Sequence, residues 1–417
     1  MKLSEMKLSE YEQKMLQLYW NTLNEDQTLN IFNNPNLITL SFINHLKVKQ
    51  LQLFQCKNVI PVLNSDLKEL EIEQCDLQTI PGFKLNELEV LKAKNNNIIT
   101  INGSQFPKLK ELDLSYNKNF SFTELQFMNQ IQKLTLRECN IYDTNVLHYL
   151  DNLTELDLSQ NKLYNIQVLQ YLTFLTKLRL SRCRILNLEC LTHLFFLTEL
   201  DISFNKSVDD ITPLSKLSKL TKINMAWCGL KHIYALRNLT CVKELNISGN
   251  SEIDITPIQY LKQLVEIKAS NCGILDLSVF QVLVHLEHVD VSQNQILSIE
   301  PFQPLKNLIY LNLDSNYISS NYFDSLKDQL YNCSFFNYSQ KQATRKQINN
   351  IIMFQKINRP PTLFRKLYYS RNILTEQLSF GKNTVSSLLQ QQDNSQITFS
   401  NKIVSLFELL NNQEVCQ

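Results

Sequence analysis

The chain has 417 residues, 41 Lys+Arg against 40 Asp+Glu, 44% hydrophobic residues and a net charge of +1. That balance excludes a strongly basic nucleic-acid binder or an acidic-tail protein at the level of the whole chain, while leaving ample apolar surface for a core. Only 6 Gly and 10 Pro argue against a loop-rich enzyme or a glycine-rich phosphate cradle.

At the N-terminus, Met1-Lys2-Leu3-Ser4-Glu5 recurs at once as Met6 to Glu10, with neither the apolar stretch nor the cleavage site of a secretory signal. No apolar run approaches the roughly 18 residues that span a bilayer. The sequence therefore predicts a soluble protein without a transmembrane segment, in the cytoplasm, with the nucleus as the other compartment it admits. Leu8, Tyr11, Met15, Leu18 and Tyr19 follow one another at helical spacing and predict an amphipathic cap helix within residues 1–24. Degenerate repeat-like segments follow, among them Leu37-x-x-Leu40-x-Phe42.

From about residue 46 the chain repeats itself. Leu153-x-x-Leu156-x-Leu158-x-x-Asn161 returns as Leu175-x-x-Leu178-x-Leu180-x-x-Cys183. The last position of this frame falls at Cys56, Cys75, Asn96, Asn117, Cys139, Asn161, Cys183, Asn205, Cys228, Asn250, Cys272, Asn294 and Asn316, at a spacing of about 22 residues. These thirteen repeats define a repeat domain over 25–332. Each short Leu-x-Leu segment is a strand that buries its apolar face only by stacking on its neighbours. The remaining residues of each repeat leave room only for short helical or 3₁₀ turns on the return path. The Asn or Cys at the turn is expected to be structural, bonding backbone groups of adjacent repeats. From Cys139 to Asn294 the two types alternate strictly, and a proline recurs in Pro213, Pro257 and Pro301, which implies a duplicated unit of about 44 residues. Thiols spaced along such a ladder read as inert, reduced core groups rather than disulfides. The sequon Asn205-Lys206-Ser207 sits on the ladder and cannot carry a glycan if Asn205 is buried.

In this pattern the chain resembles the leucine-rich repeat family, in the 22-residue class found in a regulatory subunit of protein phosphatase 1 and in internalins. Leu156, Leu158, Asn161, Leu163, Ile166, Leu169 and Leu172 carry the resemblance within one repeat. It implies an α/β fold: a right-handed solenoid or horseshoe with a parallel concave sheet and short convex turns. It also implies, as a second functional reading, concave contacts to a phosphatase catalytic subunit.

Side chains between the core leucines alternate outward onto the concave face. In the central repeats, Glu155 and Asp157 are followed by Lys177 and Arg179, then Glu199 and Asp201, then Lys222 and Asn224. Charges that alternate in this way either pair laterally between strands or offer contacts to a partner. The position before the ladder residue supplies Tyr116, Arg182, Phe204 and Trp227, residue types enriched in binding hot spots. The expected partner site is Arg182, Phe204 and Trp227 with Tyr116, flanked by Arg179 and Asp201. Catalytic, metal and cofactor motifs are missing: the sequence holds no C-x-x-C, H-E-x-x-H, G-x-S-x-G or G-x-G-x-x-G, and Gly381-Lys382-Asn383-Thr384 lacks the upstream glycine of a phosphate loop. His285 and His288 read as surface residues rather than metal ligands.

After Cys333 the pattern stops, and 333–417 forms a basic, mostly helical extension. Between Gln329 and Thr375 lie eight Lys or Arg and no Asp or Glu. Ile348, Ile351 and Ile352 predict one helix before Pro360-Pro361, and Leu363, Phe364, Leu367 and Tyr368 begin another. These helices cap the solenoid, or the basic segment contacts RNA, phosphorylated protein or anionic lipid; capping is the preferred reading. Ile403, Leu406, Phe407 and Leu410 form a last helical pattern. The function expected from all this is that of a non-catalytic scaffold or adaptor holding a protein partner on its repeats.

Overall fold

A computed structural model of the chain describes residues 10–19, 27–34, 39–41, 43, 46, 48–57, 66–80, 85–318, 333 and 335–337. These fall in a compact unit, Met1–Ala343; a second unit, Thr344–Gln417, lies outside the described residues. So do the expected helices at 348–355, 363–368 and 403–410 and most of the basic segment 329–375.

Fifteen parallel strands form one sheet in strict chain order. The first three are β1 (Thr28–Phe32), β2 (Gln50–Phe54) and β3 (Glu69–Glu73), followed by three-residue strands from β4 (Val90–Lys92) to β15 (Phe335–Asn337). The central ones are β7 (Glu155–Asp157), β8 (Lys177–Arg179), β9 (Glu199–Asp201), β10 (Lys222–Asn224) and β11 (Glu244–Asn246). Register follows the repeat, so that Leu156, Leu178 and Leu200 pair across β7, β8 and β9. All three leucines are buried, as are Leu158 and Leu180 one alternation on. Burial of each such leucine is worth about 1.5–3 kcal/mol relative to exposure, and it is realised only when the next repeat is in place.

The return path is a series of 3₁₀ turns, such as Gln167–Tyr171, Glu189–His193 and Thr212–Lys216. Pro213, Pro257 and Pro301 each stand in the first turn of theirs, where a missing N–H costs no internal bond. Leu169, Leu191 and Leu214 point inward from these turns and close the core.

The two ends differ from the sequence expectation. The described cap helix α1 spans Glu10–Tyr19 and buries Met15, Leu16 and Tyr19, whereas Leu18 is 56% exposed. The buried face is centred near Tyr19 and Glu12, which accepts a hydrogen bond from Ser41 Oγ at 2.6 Å, and this turns Leu18 outward. Strand β1 adds a repeat ahead of the thirteen: Leu29 and Ile31 are buried, and Asn34 takes the ladder position, donating to the Tyr19 hydroxyl at 2.7 Å. Asp26 stands where this repeat's first leucine belongs, so the frame is not visible there. Of the Leu37-x-x-Leu40-x-Phe42 segment the described residues are 39–41, among which Leu40 is buried and none belongs to a strand of the sheet. At the other end β15 pairs parallel with β14 (Tyr310–Asn312), so the sheet continues past the point where the leucine pattern stops. The Tyr310↔Phe335 register is longer than the common repeat, which breaks the sequence frame.

Candidate functional site

The ladder beneath the site is built of unequal parts. Asn205 Oδ1 accepts from the N–H groups of Cys183 at 2.9 Å and Ile185 at 3.3 Å, and its Nδ2 donates to the carbonyls of Leu180 at 2.8 Å and Ile202 at 2.7 Å. Asn161, Asn250 and Asn294 repeat this arrangement toward the preceding Cys repeat. A ladder thiol reaches back to the preceding repeat with a single weak bond, as from Cys183 Sγ to the Leu158 carbonyl at 3.0 Å. Burial pushes the thiols of Cys139, Cys183 and Cys272 up to about 12 and that of Cys228 up to about 11, which keeps them protonated. At the N-terminal end Cys56 and Cys75 adjoin, and the hydrogen bond between the two thiols, with burial, raises Cys75. Asn205 is buried, so its sequon is closed to a glycan.

The residue before each ladder position has a positive φ, including Tyr116 at 66°, Arg182 at 57°, Phe204 at 59° and Trp227 at 58°. This left-handed turn disfavours side chains with a Cβ, and a bond to the next repeat holds it in place. The N–H of Arg182 donates to Ser203 O at 3.0 Å, that of Phe204 to Ala226 O at 2.7 Å and that of Trp227 to Ser248 O at 2.8 Å. These four side chains consequently sit on turns beyond the C-terminal ends of the strands. They form the rim of the sheet rather than its concave floor; strict alternation from buried Leu178 and Leu180 would have pointed Arg182 into the core, and the left-handed turn brings it out.

Arg182, Phe204 and Trp227 form one stack. The Arg182 guanidinium lies 4.0 Å from the Phe204 ring centroid, and the Phe204 and Trp227 rings are 6.3 Å apart with planes 8° from parallel. Contacts of these types contribute about 0.5–1.5 kcal/mol each, yet Phe204 remains 39% and Trp227 41% exposed. Tyr116 is comparably exposed but stands apart, with Glu138 and Gln160 occupying the intervening rim positions.

Sequence reading missed the fourth member. Gly249 holds the next rim position, at φ 73°, and a Cβ there would lie 2.3 Å from the Trp227 indole. Since neighbouring rim positions carry side chains at similar φ, backbone conformation alone does not account for this glycine; the Trp227 ring lying over it does. The signal available in the sequence was the missing side chain in an otherwise filled row. Gly249→Ala is expected to displace Trp227 and to shift its fluorescence emission, at a cost of about 1–3 kcal/mol. In a Trp227→Ala background the ring's share of that cost should vanish, leaving about 1 kcal/mol for an alanine at positive φ; an unchanged cost in that background would show that the ring is not the cause.

The concave floor is internally paired. Glu155 lies 3.4 Å from Lys133 and 3.6 Å from Lys177, Lys177 lies 3.7 Å from Glu199, and Lys222 lies 2.7 Å from Glu244. The bond to Glu244 raises Lys222 above its ordinary value. Arg179 is engaged with Glu199 at 3.5 Å. Asp201 is not simply solvated: its Oδ1 accepts from the N–H of Ser203 at 2.9 Å and from Ser203 Oγ at 2.6 Å, stabilising the turn that presents Phe204. Asp157 and Asp290 accept from the backbone N–H groups of Ser159 and Ser292. Lateral pairing therefore accounts for the alternating floor charges, and beside them on the rim Phe204 and Trp227 stay partly exposed.

Three comparisons place this architecture among known proteins. A family model described as "Leucine Rich repeat" matches residues 193–211. Among solved structures, an internalin, InlF, from Listeria monocytogenes is 25% identical at a TM-score of 0.60, over 70% of this chain and 88% of its own. TLR13 in complex with ssRNA13 is 22% identical at 0.57, over 76% of this chain and 50% of its own. The plant peptide hormone receptor RGFR1 in complex with RGF2 is 16% identical at 0.50, over 77% and 55% respectively. No curated protein matches the sequence. With its repeat frame, parallel sheet and 3₁₀ return turns, the chain has the leucine-rich repeat solenoid fold. Among the described residues, no helix is long and apolar enough to cross a membrane.

Proposed function

We propose that the chain is a non-catalytic scaffold or adaptor that binds a protein partner through the rim stack of Arg182, Phe204 and Trp227, with Arg179 and Asp201 beside it. The observation that carries this reading is the stack itself: two large rings and a guanidinium, held rigidly by the ladder, remain exposed at one edge of the sheet. Pre-ordered aromatic and Arg side chains lose little entropy on binding and dominate interface energetics. Tyr116 extends the same rim at a distance. RGFR1, whose fold is similar, is solved with a peptide ligand, which supports a binding role for such a solenoid. The unpaired thiols along the ladder support a reducing compartment such as the cytoplasm. In domain terms we take 1–24 as the cap, 25–332 as the repeat array that carries the site and 333–417 as an extension.

The test compares proteins recovered from lysate by wild-type bait and by an Arg182→Ala, Phe204→Ala, Trp227→Ala variant, once circular dichroism shows the variant folded. Selective loss of a partner is expected, with its affinity for the purified protein falling by at least about 30-fold, the scale of one hot spot. Equal recovery by both baits would remove the rim stack as the main site.

A further inference from the structure

Beyond the ladder residue lies a second exposed row, five residues after the end of each strand. In β7, β8 and β9 it carries Lys162, Arg184 and Lys206, all exposed. The backbone shows that they are neighbours: the N–H of Leu163 donates to Cys183 O at 2.8 Å, one residue from Lys162 and Arg184 respectively. The row stops where Gly229 follows Lys206; a Cβ on Gly229 would lie 3.6 Å from the Lys206 carbonyl.

Unlike the floor cations, these three have no counter-charge in contact among the described residues. On the floor Lys133, Lys177, Arg179, Lys222 and Lys268 are all ion-paired, and elsewhere in the position after the ladder residue Lys57 pairs with Asp76 and Lys118 with Glu138. Among the described residues Lys162, Arg184 and Lys206 form no ion pair, and Arg182 is engaged with a ring. Nearby carboxylates are partly committed, Asp143 accepting from the Asn145 N–H at 2.9 Å and Asp210 from that of Thr212 at 2.8 Å, which leaves exposed Asp209 as the local anion. Uncompensated positive charge thus runs alongside the ring stack, sharing the repeats of Arg182 and Phe204 and ending before that of Trp227.

Resting on the partner-binding reading above, we infer that the partner presents an acidic segment, its carboxylates over Lys162, Arg184 and Lys206 and an apolar or aromatic side chain against Phe204 and Trp227. Charge complementarity argues for the anion. A protein segment suits it better than a nucleic acid. The cationic row spans only three repeats, and the adjacent floor carries Glu155, Asp157, Glu199 and Asp201, so a phosphodiester chain would leave the row within a few residues and meet carboxylates. A short acidic stretch with one anchoring ring matches both the length of the row and its neighbour.

The probe is a fluorescein-labelled glutamate–tyrosine copolymer, titrated by polarisation against the full chain and against two variants, with circular dichroism as the folding control. The first variant reverses charge at Lys162→Glu, Arg184→Glu and Lys206→Glu; the second is the Arg182→Ala, Phe204→Ala, Trp227→Ala protein. A Trp20→Phe protein, in which Trp227 is the sole tryptophan, reports by fluorescence whether the polymer reaches the stack. Expected are saturable binding, a change in Trp227 emission, a loss of at least about tenfold on charge reversal, and weakening between about 50 and 200 mM salt. A copolymer bound no better than a serine–tyrosine control, or bound equally by the charge-reversed protein, would overturn the inference. Tighter binding of labelled oligothymidylate, lost on the same charge reversal, would also overturn it and assign the row to nucleic acid. The underlying reading fails separately, through the lysate comparison: a partner lost with the ring variant but kept by the charge-reversed one leaves that reading standing and removes the acidic segment.

Discussion

Asn205→Ala is expected to lower the stability of the repeat array by about 3–5 kcal/mol, against about 1 kcal/mol for Cys183→Ala in the adjoining repeat. Both side chains are buried at equivalent positions, so solvent exposure does not separate them. The difference lies in what each leaves behind. Removing the Asn205 carboxamide orphans the N–H groups of Cys183 and Ile185 and the carbonyl of Leu180, and leaves the carbonyl of Ile202 with only the weak bond from Cys228 Sγ. Each buried group without a partner costs about 1–3 kcal/mol, tempered by relaxation and by water entering the gap. Removing the Cys183 thiol takes away one weak bond to Leu158 O and a small apolar volume. Urea melts of the two variants decide the matter; equal losses would mean that the ladder works by packing rather than by hydrogen bonding.

Leu178→Asp should have a larger and spatially confined effect. Leu178 is fully buried in β8, paired with Leu156 on one side and Leu200 on the other. Truncation to alanine would cost about 2–5 kcal/mol, and an aspartate adds the cost of burying a carboxylate that has no cation within the core. An array in which each repeat contacts only its neighbours relieves that cost by opening locally. Hydrogen exchange should show lost protection in β7 to β9 while β3 and β4 on one side and β14 on the other stay protected. Uniform loss along the array would show long-range cooperativity instead.

The buried half of this molecule is legible in the sequence because it is chemically monotonous. Leucine at the strand positions and Asn or Cys at the turn recur at nearly constant spacing, since each must meet its own copy in the next repeat. Where one position departs, the frame is lost: Asp26 hides the repeat of Leu29 and Ile31, and the lengthened step to Phe335 hides β15. The rim is legible in composition but not in geometry. Arg182, Phe204 and Trp227 stand out as residue types, yet only φ places them on turns beyond the strands, and only three-dimensional contact reveals that Gly249 makes room for the indole. Asp201 misleads in a related way, because an aspartate facing water and one bonded to the N–H two residues on are identical as letters. The resemblance to the phosphatase-regulator class rests on repeat length and leucine spacing, features of the solenoid that carry no information about its rim.

The unequal ladder also gives the solenoid a mechanical grain. Asn205 ties its repeat back to the Cys183 repeat with two accepted bonds and one donated across the interface, whereas Cys183 ties its own back to the Asn161 repeat with one weak thiol bond and its carbonyl, which accepts from the Leu163 N–H. Tension applied at one end would meet alternating strong and weak seams. The array would yield at the thiol seams first and release two repeats together, a length of about 44 residues that extends to about 150 Å. Along its axis the protein is therefore a row of paired bricks, with the rim stack laid across the joint between one pair and the next, at Asn205 and Cys228.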